Sequence, residues 1–436
     1  MTLWHTTDSI DALVERFTVG DDRRLDLTLA RYDVEGSLAH GRMLLDVGLL
    51  SAEEWDLLKK GLDEIAAEIE RGDFTIDDEY EDVHSKVEAE LTRRVGDAGK
   101  KIHTARSRND QVLLDMHLWA REAVAALRDD LRGLFEQLMA LSDAHAAAPM
   151  PGYTHMQIAM PSSFGMWFGA YAEALIDDLT MLNAAGRIAD QSPLGSAAGY
   201  GSSFPIDRDR TAELLGFRTL RVNAMGAALS RGKLEWTVAT AMASVAATLG
   251  RFAGDVVLYA GGNFGFVAFP DALTTGSSIM PHKKNPDVFE LIRARCNVVR
   301  ALPNTIAMMT TNLPGGYHRD YQLLKETLFP AVAALSDAMR LAVHMLGHIT
   351  VSTAWRDDPR YDHLYTVEEV NRLVMEGRTF RDAYHEVGRS VAEGTYRPGM
   401  AREHTHVGSV GALGNERIRE KFEGEWGLGG FDLTEE

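Results

Sequence analysis

The longest regular pattern in this sequence is an apolar repeat over residues 110–148. Its members alternate spacings of three and four: Leu113, Met116, Ala120, Val124, Leu127, Leu131, Leu134, Leu138 and Leu141. This heptad seam predicts an α-helix that is long for a globular protein and packs along its whole length.

Four more segments predict long helices, namely 161–190, 232–260, 286–311 and 322–349. Helices of about 25 to 40 residues span roughly 40 to 60 Å at 1.5 Å per residue. The rest of the 436-residue chain is too short to cover five such rods. Apolar faces left uncovered imply further copies of the chain, so we expect a homo-oligomeric helical bundle.

Shorter helical patterns flank the rods on both sides. We therefore expect a mostly α chain with three domains: an N-terminal helical domain at 1–105, a central bundle of five long helices at 106–354, and a small C-terminal helical domain at 355–436. In the first domain, Ser51 and Glu54 predict a capped helix over 49–71.

The net charge of −19 disfavours nucleic acid and anionic membranes as partners. An anionic small substrate would need locally concentrated basic residues, and the charge is also compatible with a salty cytoplasm. The single cysteine, Cys296, permits no disulfide within the chain and is expected in the core. The start of the sequence has no secretory signal pattern, so we expect a cytoplasmic protein.

Four polar segments interrupt the predicted rods. In 102–112, Arg108 and Asn109 precede a helix, where backbone N–H groups favour anions. In 151–157, a turn presents Thr154 and His155, and histidine suits proton transfer near neutral pH. In isolation, a solvated helix cap for the first segment and a structural histidine for the second are the commoner interpretations.

The third segment, 276–286, combines a hydroxyl (Ser277), an ammonium (Lys283) and a carboxamide (Asn285) on a loop with glycine to bend. Such a loop can close over an anion. The fourth, 313–326, is a glycine-opened turn. The sequence gives little support for other chemistries. It has no Cys/His spacing typical of a zinc site, and the glycine-rich stretch 195–201 lacks the glycine pattern of a nucleotide-binding loop.

Together these segments resemble a known family over nearly the whole chain. The loop 276–286 matches the GSxxMPxKxN pattern of the fumarase/aspartase superfamily. The Arg-Ser-Arg-Asn-Asp-Gln string at 106–111 and the spacing of Tyr317, Gln322 and Lys325 resemble its argininosuccinate lyase branch.

The resemblance implies a homotetramer with a twenty-helix core and active sites shared among three subunits. It implies reversible cleavage of argininosuccinate to arginine and fumarate with no cofactor and no metal. By similarity, Ser277, His155, Lys283 and Glu290 are the catalytic group, Glu290 pairing with His155. The same similarity makes the substrate-binding group Asn109, Arg108, Thr154, Asn285, Tyr317, Gln322, Lys325 and His84.

One departure concerns a serine near the N-terminus that the family uses to hold substrate. Asp22 lies nearest to that position here. The C-terminal region also looks short, as though a helical segment were missing after about residue 397.

The implied chemistry is abstraction of a weakly acidic proton beside a carboxylate, which creates a dianion that needs preorganised donors. Ser277 is the expected base and His155 the expected acid, although the two roles could be exchanged. The competing interpretations are another lyase of the superfamily, acting on adenylosuccinate or a different amino-succinate, and a non-catalytic structural protein like some lens crystallins.

Overall fold

The computed structural model describes residues 11–399 and 404–429, and its architecture is dominated by helices. The α-helices are α1 Ala12–Val19, α2 Asp22–Asp26, α3 Ala30–Asp46, α4 Ala52–Arg71, α5 Val83–Val95, α6 Asp97–Lys100, α7 Arg108–Ala144, α8 Phe164–Ala189, α9 Arg208–Leu214, α10 Ala224–Ala228, α11 Lys233–Ala260, α12 Asp287–Met309, α13 Leu324–Leu346, α14 Thr366–Met375, α15 Phe380–Ala392 and α16 Asn415–Gly427.

The short strands are β1 Pro149–Thr154, β2 Gln157–Ser163, β3 Gln191–Ser192, β4 Thr219–Leu220, β5 Val267–Ala268 and β6 Thr350–Val351. They form three two-stranded sheets: β1 with β2 and β5 with β6 are antiparallel, and β3 with β4 is parallel. The sequence patterns did not predict the β1–β2 hairpin, which replaces the expected simple turn between two helices.

All five predicted rods are present, as α7, α8, α11, α12 and α13. The 37-residue α7 starts at a capping box in which the Ser107 N–H donates to Asp110 Oδ1 at 2.9 Å. The seam residues from Leu113 to Leu138 are buried. The capped helix expected in the N-terminal region is also confirmed, because Ser51 and Glu54 cap α4 reciprocally.

Three clusters of apolar side chains hold the chain together. The largest joins the five rods, and Phe422 of α16 belongs to it by stacking on Phe135 at 3.8 Å between ring centroids. A second lies among α3, α4 and α5, and a third, small one joins α14 to α15. The boundaries of the three domains, 1–105, 106–354 and 355–436, stay a prediction.

The rods run in alternating directions. At one end, the start of α7 lies beside the end of α8, where His117 Nδ1 is 2.8 Å from the Ala189 carbonyl oxygen. The segments before α11 and α13 meet at the same end, because Arg231 donates to the Tyr321 carbonyl at 3.0 Å. At the other end, Ser142 near the end of α7 donates to the Gly165 carbonyl at 2.7 Å. There β5, after α11, also pairs with β6, after α13.

The close contact of α7 with α8 depends on Gly165. A Cβ at this position would lie 2.5 Å from the Ser142 carbonyl oxygen and 2.6 Å from the Ala146 Cα. Both are backbone atoms that cannot move aside without separating the two helices.

We expect Gly165→Ala to lower the melting temperature by several degrees or to prevent folding, because the added methyl overpacks the crossing. Gly133→Ala, also within α7, is the matched control, since a Cβ added at Gly133 would meet no neighbouring atom within 4 Å. The control should stabilise by about 0.5–1 kcal/mol through helix propensity. Equal melting temperatures for the two variants, measured by differential scanning calorimetry, would contradict this account of the crossing.

Candidate active site

A cleft of about 690 Å³ lies where the start of α7 meets the N-terminal region and the segment before α13. Five of the residues assigned by resemblance line it: His84, Arg108, Asn109, Tyr317 and Gln322. Lys325, in the first turn of α13, lines a small cavity that adjoins it. These six residues are called the cleft group below.

Arg108 is oriented by two acidic neighbours. Its Nη1 lies 3.0 Å from Glu81 Oε2, and its Nε contacts the Asp82 carboxylate. Burial disfavours the charged guanidinium, but Asp82 and Glu81 outweigh it and raise the pKa of Arg108. The fork is therefore fixed as a cation at the wall of the cleft.

His84 is held as an imidazolium ion. Its Nδ1 lies 2.7 Å from Asp33 Oδ1 and 3.8 Å from Asp115 Oδ2, and all three side chains are buried. Burial opposes the charge, but Asp33, Asp115 and Asp82 outweigh it and raise the pKa of His84 to about 9. A cationic imidazole beside the cleft suits an anionic substrate.

Asp33, His84 and Asp115 are also close enough to hold a metal ion, since one ligand atom of each lies within 4.8 Å of the others. A metal would require a neutral imidazole. The two carboxylates favour the protonated imidazole instead, so the geometry fits a fixed cation better than a metal ligand set.

Thr154 and His155 lie at the tip of the β1–β2 hairpin, and both are exposed. The hairpin turns through His155 and Met156 alone, and both have left-handed backbones, with φ of 53° and 60°. This is the geometry of a type I′ turn, which glycine or asparagine normally supplies. The turn projects His155 away from its own chain.

Ser277, Lys283 and Asn285 lie on a loop whose base is closed by a backbone bridge. The Asn285 N–H donates to the Thr275 carbonyl at 2.8 Å, and the Thr275 N–H returns a bond at 3.3 Å. Ser277 Oγ accepts the backbone N–H groups of Met280 at 3.1 Å and Ile279 at 3.4 Å. Between its two ends the loop is largely exposed.

Glu290 is exposed on the first turn of α12. Within the described part of a single chain, no ion pair joins it to His155, so the expected pairing is not formed there. Thr154, His155, Ser277, Lys283, Asn285 and Glu290 are called the distal group below, because they all lie at the other end of the rods from the cleft.

Several connections fix the distal group at that end. Tyr153 of the hairpin packs against Phe264 after α11, with ring centroids 5.6 Å apart. Phe269, shortly before the loop, packs against Phe289 of α12 at 5.4 Å. The 28 residues of α11 and the 37 of α7 span roughly 40 and 55 Å. One copy therefore holds the two groups roughly 40 Å or more apart.

Comparison with known proteins agrees with this architecture. A family model described as Lyase matches residues 5–301. The argininosuccinate lyase of Parabacteroides distasonis is 52% identical over 95% of this chain and 93% of its own length. That of Thermotoga neapolitana is 38% identical over 90% of this chain and 97% of its own. The chain belongs to the argininosuccinate lyase family. It is an enzyme of the lyase class.

Solved structures with lower identity share the fold. An EDDS lyase in complex with formate superposes with a TM-score of 0.77 at 21% identity, over 97% of this chain and 91% of that one. The 3-carboxy-cis,cis-muconate lactonizing enzyme from Pseudomonas putida gives 0.71 at 20% identity, over 96% and 98%.

Two helical stretches of this family member, Lys233–Ala260 and Arg319–Leu346, are long and apolar enough to cross a membrane by length and composition. In this fold both are rods of the bundle, and their apolar residues contribute to its core.

Sequence patterns did not reveal the acidic residues that hold the cleft cations, Asp33, Glu81, Asp82 and Asp115. Each of these acidic residues is far in the sequence from at least one residue with which it pairs. The only sequence signal for them was an excess of acidic residues before α7.

We expect amides 276–284 to exchange rapidly in hydrogen–deuterium exchange and to slow at least tenfold with saturating arginine and fumarate. Residues 278–284 of the loop are exposed, so closure over a ligand would protect their amides. The control region is the middle of α7, whose exchange should not change. Slow exchange of the loop without ligand would contradict this expectation.

Proposed function

We propose that the chain cleaves argininosuccinate reversibly to arginine and fumarate, the last step of arginine synthesis, as a cytoplasmic homotetramer. Each active site combines the cleft group of one copy with the distal group of other copies. The observation that carries this proposal is the separation of the two groups at opposite ends of rods that are roughly 40 Å or more long.

Exposed apolar side chains on the rods support association. Leu291, Val298 and Met308 of α12 are 61%, 73% and 67% exposed, and Trp236 of α11 is 43% exposed. Leu291 and Val298 are seven residues apart and so lie on one face of the helix. An apolar face on a central helix is typical of an interface between copies. Antiparallel association along such faces brings one copy's distal end to another copy's cleft.

The proposed reaction starts with removal of a proton from the carbon beside a substrate carboxylate. Ser277 is the base, and its Oγ already accepts two backbone N–H groups that would stabilise an alkoxide. Lys283 and Asn285 balance the charge of the resulting dianion. His155 then donates a proton to the departing guanidino nitrogen, and Glu290 orients the imidazole.

The cleft group binds the rest of the substrate. Arg108 and His84 supply fixed positive charge, and Asn109, Tyr317 and Gln322 supply neutral hydrogen-bonding groups around the same cavity. Such a combination suits the polar arginine portion, while the distal groups Thr154, Lys283 and Asn285 suit the succinate portion. No step in this scheme needs a metal or an organic cofactor.

We expect Ser277→Ala and His155→Asn each to lower kcat for argininosuccinate cleavage by about 1,000-fold or more, because each removes a proton-transfer group. The measurement is fumarate absorbance, with the assembly checked by light scattering. Ser278→Ala, at the adjacent exposed serine, is the matched control and should retain activity. Near-normal turnover in either test variant would contradict the assigned roles.

Shared sites predict complementation between two inactive variants. We expect Ser277→Ala, altered in the distal group, and Gln322→Ala, altered in the cleft group, to regain activity when they are unfolded together and reassembled. Random mixing leaves about a quarter of the sites with both halves intact, since each half is unaltered in half of the copies.

A second mixture, Ser277→Ala with His155→Asn, is scored in the same way by fumarate release and shows whether one copy or two donate these side chains. If one copy donates both Ser277 and His155 to a cleft, this mixture regains no activity. If two different copies donate them, about a quarter of the sites regain activity. If the first mixture, Ser277→Ala with Gln322→Ala, stays inactive although mixed tetramers form, the two groups do not meet between copies.

A further inference from the structure

The β1–β2 hairpin that carries His155 is only weakly held by its own ladder. Its base pairs through three prolines, Pro149, Pro151 and Pro161, which have no backbone N–H to donate. The register then shifts between Pro151 and Tyr153, so an irregularity separates the base from the two residue pairs next to the turn. The ladder alone therefore does not fix the direction in which the tip points.

Packing between the base of the hairpin and the C-terminal region is incomplete. A cavity of about 480 Å³ lies between them, and its lining includes Pro149, Met150 and Pro161 of the hairpin and Trp355 and Tyr361 of the segment after β6. Side chains that line a cavity lose contacts on that side. The hairpin therefore depends more on the groups of this segment that reach it directly.

Two side chains of the segment after β6 reach the hairpin by hydrogen bonds. Trp355 Nε1–H donates to the Pro149 carbonyl at 3.3 Å, at the start of β1. The hydroxyl groups of Tyr361 and Tyr153 share a hydrogen bond, with their oxygens 3.0 Å apart. Tyr153 precedes His155 by two positions, so of the two bonds this one is nearer to the tip. Burial, and then the bond to Tyr361, raises the pKa of Tyr153, so its hydroxyl stays protonated at neutral pH.

The Tyr361 side of this bond is a firm anchor. The residue is only 6% exposed, and its ring packs on Trp355 with centroids 5.2 Å apart and on Phe266 at 6.3 Å. It belongs to the 3₁₀ turn Pro359–Tyr365, which the Asp358 side chain caps. A hydrogen bond to this side chain therefore ties the hairpin to a fixed point in the core.

We propose that Tyr361 is a positioning residue that orients His155 for proton transfer, acting through the hydroxyl of Tyr153. This inference rests on the proposed function. Two residues of extended chain span roughly 7 Å, so the tip follows a small tilt at Tyr153 almost directly. A proton-transfer group has to be held within about 0.5 Å of its working position. The ring packing of Tyr153 is not directional, whereas the hydroxyl bond is.

The test removes single hydroxyl groups and measures argininosuccinate cleavage by fumarate absorbance. We expect Tyr361→Phe and Tyr153→Phe each to lower kcat by about 10- to 100-fold, because a misplaced proton donor slows the chemical step. KM should stay within about threefold, since the cleft group is unaltered. The double variant should be no slower than either single variant, because both changes break the same bond.

Tyr365→Phe is the matched control. Tyr365 stands on the same 3₁₀ turn and lines the same cavity, but its hydroxyl forms no hydrogen bond within residues 11–399 and 404–429. This variant should behave like the wild type. A second readout combines Tyr361→Phe with His155→Asn. Because Tyr361 acts through His155, adding its change to this background should alter the residual kcat by less than about twofold.

A wild-type kcat in Tyr361→Phe, with the assembly intact by light scattering, would overturn the proposal. So would a full loss of rate in the His155→Asn background, which is the result expected of a general structural defect. If Tyr361→Phe does not assemble, Tyr153→Phe tests the same bond from its other side. If wild-type enzyme releases no fumarate from argininosuccinate, the proposed function fails instead, and the two failures are therefore distinct.

Discussion

The length of the central rods is the constraint on which the rest of this structure depends. Because α7 and α11 are single uninterrupted helices, whatever lies at one end of the bundle is roughly 40 Å or more from the other end within the same copy. The chain places fixed cations at one end and an exposed hairpin and loop at the other. Under the proposed function, the two groups can therefore meet only between copies of the chain.

The two ends of the bundle differ in their electrostatics, which suits a binding cleft at one end and a closing loop at the other. The cleft contains ions whose partners hold them in place, such as half-buried Arg108 between Glu81 and Asp82, and buried His84 beside Asp33. The distal end is more exposed, and there two backbone N–H groups donate to Ser277 Oγ. In the proposed site, the cleft group positions the substrate, and the loop then closes and excludes water.

The sequence predicted the rods and their approximate bounds because a 3.6-residue period repeated over many turns is a strong signal. It did not predict the β1–β2 hairpin, because Pro149, Pro151 and Pro161 obscured the strands and the turn uses His155 and Met156 where glycine or asparagine is usual. The ionic partners in the cleft were also missed. Contacts such as Lys325 with Asp22, about 300 residues apart, leave no periodic trace in a sequence.

The resemblance supplied the identity of the side chains, and the fold explains why they are spread along the chain. The turn at His155 and Met156 adopts a strained backbone at residues that have a Cβ, and such strain persists only where the surrounding structure enforces it. The β1–β2 ladder and the packing of Tyr153 on Phe264 provide that enforcement. In the proposed assembly, this exposed and strained tip presents the His155 side chain to a neighbouring copy.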